Sequence, residues 1–150
     1  MPKLTSLAFA FLLAVLGSAN AQSEAFNLDS PDRKYAAVYA PTEEPPFKIA
    51  EKATQKLVAT MDDERVGNRG LTATWAPDGK TLVVLVEFRL GVGLEVFRLR
   101  ENHFDRTAGP NPPENFLTLG KWVAPDKLQF KGEEKSYTLT LTDHAAKFER

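Results

Sequence analysis

Few side chains in this sequence are of a type that does chemistry. Beyond residue 21 there are three serines, Ser23, Ser30 and Ser136, and none sits in the Gly-x-Ser-x-Gly turn that exposes a nucleophile. Ser30 precedes a turn proline, and Ser136 reads as the solvent side of a strand. The two histidines, His103 and His144, have no second histidine at metal-ligand spacing. His103 lies in Glu101-Asn102-His103-Phe104-Asp105, where the acids could add oxygen ligands, but an exposed loop histidine is the preferred reading. Asp62-Asp63-Glu64 and the pair Asp29 and Asp32 concentrate carboxylates without the alternating ligands and central glycine of a calcium loop. Two carboxylates for glycoside hydrolysis would have to converge from separate strands. Trp75 and Trp122 could stack on a sugar, although their places in the chain suggest inter-sheet core instead. Trp75, Trp122 and His103 are therefore binding candidates, with no catalytic residue, metal or cofactor expected.

Composition narrows the classes further. The chain has 150 residues, 43% hydrophobic and 26% charged, which suits one compact domain. With no cysteine, thiol catalysis, disulfide scaffolds and a lipobox are excluded. The 19 basic and 20 acidic residues nearly cancel, so no field gathers nucleic acid. There is no glycine-rich phosphate cradle between a strand and a helix.

The N-terminus states a destination. Met1-Pro2-Lys3 precedes an apolar run from Leu4 to Leu16, and Gly17-Ser18-Ala19-Asn20-Ala21 follows. Residues 1–21 thus read as a signal peptide of bacterial style, cut after Ala21, because small residues at Ala19 and Ala21 fit the peptidase pockets. No later segment reaches the roughly 20 apolar residues of a membrane helix. The expectation is an exported protein, periplasmic or secreted, with residues 22–150 as a single β domain and no membrane contact after cleavage.

The elements that would position any site follow a repeat. Ser30-Pro31-Asp32-Arg33-Lys34, Ala76-Pro77-Asp78-Gly79-Lys80 and Ala124-Pro125-Asp126-Lys127 place their prolines 46 and 48 residues apart. An apolar run follows each mark, and a tryptophan precedes the second and third. Proline fixes φ, aspartate bonds back to the backbone, and Gly79 supplies a positive φ for a hairpin. Arg33 stands where Gly79 stands, at a cost of about 1 kcal/mol if that position is left-handed, and the third mark is a residue shorter.

Between the marks the period is two. Tyr137, Leu139 and Leu141 alternate with hydroxyl residues, as in a half-buried strand, whereas Thr81 to Phe88 is apolar on both faces and reads as a central strand. Leu94 to Arg100 should pair with it across Arg89 to Gly93, and Leu128 to Phe130 with Tyr137 to Leu141. Phe47 to Met61 mixes helical and strand spacing; two strands around Ala53 to Lys56 are favoured, because the other units have a hairpin there. Pro41 to Pro46 and Gly109 to Pro113 read as exposed loops, so a side chain at Gly109 should matter less than one at Gly79. Asp62 to Gly70 is a charged connector, and Asp143 to Arg150 a tail.

Trp75-Ala76-Pro77-Asp78-Gly79-Lys80 followed by Leu82-Val83-Val84 resembles the Pro-Asp-Gly-Lys blade motif of TolB-like, WD-repeat-like β-propellers. The chain is also similar to small exported proteins carrying only a few such repeats. The second copy matches well, the first fairly and the third poorly. The resemblance implies an all-β fold of about three antiparallel β-meander units, roughly 27–70, 71–118 and 119–150, stacked like propeller blades and open rather than closed. It implies no chemistry. The expected function is a non-enzymatic exported binding or interaction module, engaging a protein or an envelope polymer through its terminal faces or long loops. Its rivals are a small envelope hydrolase or lyase with converged carboxylates, and a structural subunit completing a ring by self-association as a homo-oligomer.

Overall fold

The computed structural model describes residues 24–62 and 70–149. The expected signal peptide and most of the charged connector lie outside the described residues. Twelve strands are present among the described residues, arranged as three four-stranded antiparallel sheets in chain order. The first sheet is β1 (Phe26–Asp29), β2 (Tyr35–Tyr39), β3 (Phe47–Glu51) and β4 (Leu57–Met61). The second is β5 (Leu71–Trp75), β6 (Thr81–Phe88), β7 (Gly91–Arg100) and β8 (His103–Ala108). The third is β9 (Thr118–Ala124), β10 (Lys127–Lys131), β11 (Ser136–Leu141) and β12 (Ala146–Glu149). Each sheet is an uninterrupted meander, and none closes into a barrel.

The second sheet is the middle layer, and β6 shows why. Leu82, Val84 and Val86 turn toward the first sheet, where they meet Tyr39, Phe47, Ile49 and Met61. Val83 and Leu85 turn the other way and meet Leu128, Phe130 and Leu139 of the third. A strand buried on both faces needs apolar residues at every position, which is what Thr81 to Phe88 supplies. The outer sheets alternate instead: behind Leu139 and Phe148 the far face of the third sheet carries Lys127, Gln129, Thr138, Thr140, Lys147 and Glu149.

The two tryptophans join the layers. Trp75 Nε1–H donates to the Leu28 carbonyl at 2.9 Å, and Trp122 Nε1–H donates to Thr74 Oγ1 at 3.0 Å. Leu28 and Thr74 are 46 residues apart, the same as Pro31 and Pro77, so each sheet grips its predecessor at an equivalent point. Arg98 makes a further tie. This buried guanidinium donates to Thr107 Oγ1 at 3.1 Å and to the carbonyls of Thr142 and Ala145 at 3.2 and 2.7 Å. Burial lowers its pKa, and the neutral oxygens compensate part of the lost hydration.

The motif turns are built as their residues require. Gly79 has φ +70° and Arg33 φ +59°, so the arginine does occupy the left-handed position. Ser30 compensates locally: its hydroxyl donates to Asp32 at 2.6 Å and accepts from the Tyr35 N–H at 3.0 Å. The first two turns lie side by side, with the Asp32 carboxyl 3.2 Å from where a Gly79 Cβ would stand.

The structure corrects four local expectations. The β6–β7 loop is only Arg89-Leu90, because Phe88 pairs with Gly91 and the ladder continues through Val92 and Gly93. His103 begins a strand rather than lying in a loop. Half of the tail, Ala146–Glu149, is a fourth strand of the third sheet. Gly109 is not loosely held: its N–H donates to the Leu94 carbonyl at 2.8 Å, and a Cβ there would lie 2.7 Å from Leu94 Cβ. Phe47 to Met61 is two strands, as the repeat requires.

Candidate functional site

The three residues singled out by type are dispersed. Trp75 is 8% exposed and packs edge-on to Phe104 at 5.7 Å, while Trp122 covers the core between the second and third sheets. Both indoles are committed to the sheet before them. His103 is exposed on β8, with Nε2 2.8 Å from Asp105 Oδ1. Among the described residues no group of three or more His, Cys, Asp or Glu side chains gathers as a metal site.

A different place has the shape of a binding site. Where β6 turns into β7, the second and third sheets part around a cleft of about 450 Å³. Leu117 is buried at its base, Val92 lines it, and Phe88 and Phe116 form its walls. These two rings are 36% and 58% exposed, and Leu90 at the adjoining turn is 81% exposed. Glu87, Lys131 and Glu133 carry the charge on the rim.

The backbone explains why the rings stand there. Phe88 lies across Gly93, where a Cβ would come within 2.8 Å of its ring. Phe116 ends the proline-rich loop, and Glu114 fixes that loop to the third sheet. Its carboxylate accepts a short hydrogen bond from the Tyr137 hydroxyl and a 2.8 Å bond from the Glu133 N–H. The Tyr137 hydroxyl, followed by the Glu133 amide, holds the Glu114 carboxyl below the usual carboxylate range. The same bond to Glu114 pushes the Tyr137 phenol up to about 12. Lys135 Nζ stands 5.4 Å from the centre of the Tyr137 ring, so the phenol is held from two sides.

Sequence reasoning by residue type passed over this cleft because phenylalanine and leucine carry no chemistry. A signal was nevertheless present. Arg89-Leu90 is a turn, and Glu114-Asn115-Phe116-Leu117 closes a polar loop; bulky apolar residues at such positions have no local core to enter. The comparisons identify no relative: no family model, no curated protein and no solved structure matches the chain.

Proposed function

We propose that the protein is exported to the periplasm or beyond and acts there as a non-enzymatic binding module, taking an apolar segment of a partner protein or envelope polymer into the cleft between its second and third sheets. The observation that carries this reading is the pair Phe88 and Phe116, left open on either side of a cleft of about 450 Å³ while the loop bearing Phe116 is anchored through Glu114. Exposed aromatics on a fixed frame lose little conformational freedom when a partner covers them, and such residues commonly carry most of an interface's energy. The rim of Glu87, Lys131 and Glu133 would orient the partner rather than supply affinity.

None of the three carboxylates whose titration is displaced is poised as a general acid. Asp32, Glu114 and Glu149 are all held below the usual carboxylate range by hydrogen-bond donors, whereas a general acid at neutral pH needs the opposite shift. The test is site-specific photocross-linking in the cells that make the protein. A photoreactive residue at Leu90 or Phe116 should give one discrete adduct, and the same group at Gln129 or Thr138, on the far face of the third sheet, should give none. Leu90→Ser and Phe116→Ser should abolish the adduct formed from the other position with little change in Tm. Equal cross-linking from both faces, or none from the cleft, refutes the assignment.

A further inference from the structure

We infer that the protein pairs with a second copy of itself, edge to edge, through β12. The third sheet runs β12-β11-β10-β9, so β12 is bonded on one side only. The other free edges differ. The ladder between β9 and β10 is broken by irregularities on both sides of Leu128, β4 lies against β8, and β5 lies against β9; β1 keeps an unbroken register with β2, but its one charged residue is Asp29, so a second copy would bring it no cation. Against β11, β12 keeps an unbroken register over its whole length, Leu141 with Ala146 through Thr138 with Glu149. A trough of about 630 Å³ runs beside it, lined from both faces of the sheet by Thr140, Ala146, Lys147, Phe148 and Glu149.

The hydrogen bonds fix which groups are open. The Thr142 N–H donates to the Ala145 carbonyl at 2.9 Å, so this pair faces inward across the turn. Antiparallel ladders alternate, so Lys147 and Glu149 also direct their main-chain groups to β11. The Leu141 N–H agrees with this phase, since it donates to Asp126 on the other side. Ala146 and Phe148 are therefore left with N–H and C=O groups pointing away from the sheet.

A twofold axis beside Phe148 uses these groups and also fits the charges. With Phe148 opposite its own symmetry mate, the two residues exchange N–H to C=O bonds in both directions. The same register sets Lys147 opposite Glu149 of the second copy, and Glu149 opposite its Lys147, on one face of the joined sheet. Within one chain Glu149 takes Lys127 at 3.0 Å and Thr140 at 2.7 Å, whereas Lys147 has no ion-pair partner among the described residues. Lysine on an edge strand ordinarily discourages pairing, but opposite a second copy it meets a carboxylate. On the other face Phe148, already against Phe130 at 5.6 Å, would gain its symmetry mate as a neighbour. This inference does not depend on the cleft, which lies elsewhere on the third sheet.

Sedimentation equilibrium of the purified protein tests it. A reversible monomer–dimer equilibrium should appear, weaken as salt is raised, fall at least tenfold in Lys147→Glu, and return in the exchanged double variant Lys147→Glu with Glu149→Lys. Because the chain has no cysteine, the register can be read covalently. Lys147→Cys mixed with Glu149→Cys should oxidise to a mixed dimer, and each alone should do so far less. A monomer at every concentration, a dimer indifferent to Lys147→Glu, or equal oxidation of each variant alone overturns the proposal. So does a purified monomer whose β12 edge cross-links only to a different protein in cells.

Discussion

Removing the hydroxyl at Thr74 and the indole N–H at Trp122, singly and together, tests whether the tryptophans are joints between sheets or platforms for a ligand. Thr74→Val keeps the shape and deletes the acceptor, while Trp122→Phe keeps an aromatic ring and deletes the donor of the 3.0 Å bond. A net hydrogen bond is worth about 1 kcal/mol. Trp122→Phe also leaves a smaller ring over the core that holds Leu128 and Phe130, so its total loss should reach about 2 kcal/mol. Thr74→Val alone should cost about 1 kcal/mol. Because both substitutions break one bond, the double variant should be less destabilised than the sum by about 1 kcal/mol, well outside the additivity error for independent sites. Urea melts of the four proteins, with equal m-values confirmed, give the coupling directly. Additive losses would refute the joint. They would refute it more firmly still if Trp122→Phe left stability unchanged and abolished binding of a sugar.

Gly79→Val should cost about 1 to 2 kcal/mol, because a β-branched residue is placed at φ +70° beside the Asp32 carboxyl. Gly109→Ala should cost about 1 to 3 kcal/mol by overpacking, since its Cβ would sit 2.7 Å from Leu94 Cβ; denaturant melts in which Gly109→Ala is silent would show that the loop yields. Glu114 is held below its ordinary value, so its contribution to stability is complete above the unfolded pKa near 4.5 and is lost as pH falls through the lower folded value. Tyr137, pushed up to about 12, contributes below 10 and loses that contribution as pH rises toward 12. Tyr137→Phe should therefore flatten the Tm profile at both ends, and a profile unchanged from the parent protein would show that the bond to Glu114 does not form.

How much of this was readable beforehand depended on periodicity. The alternation in Ser136 to Leu141 and the continuous apolar run in β6 announced an outer and a central strand, because burial on one face or two writes a different pattern. The spacing of Pro31, Pro77 and Pro125 announced three units. The fourth strands were harder to see. In β8 only Phe104 is buried, and β12 is four residues long, so neither carries enough apolar residues to show a period. Gly109 was misjudged for a related reason: prolines mark a loop, but only tertiary contact with Leu94 reveals that the loop is packed. The cleft was invisible for want of contact information, since Phe88 ends β6 while Phe116 stands in the loop before β9, 28 residues further on.

The same repeat shows how the outer faces of the first and third sheets differ from the faces between layers. At the position 46 residues before Trp75 stands Asp29, which pairs with Lys52 instead of reaching for a preceding sheet. The first sheet thus lacks the donor by which the second and third grip their predecessors. At the other end the far face of the third sheet is lysine, glutamine, threonine and glutamate, with Lys127 and Glu149 joined across it. A fourth sheet placed there would bury these charges against apolar residues, at several kcal/mol for each unpaired ion. The first sheet thus offers no tryptophan tie, and the charged face of the third opposes face-to-face addition. Apolar surface is left instead where the layers part, at Phe88, Leu90 and Phe116, and free backbone is left along β12. The proposed partner would therefore reach the molecule from its flank rather than as a further layer.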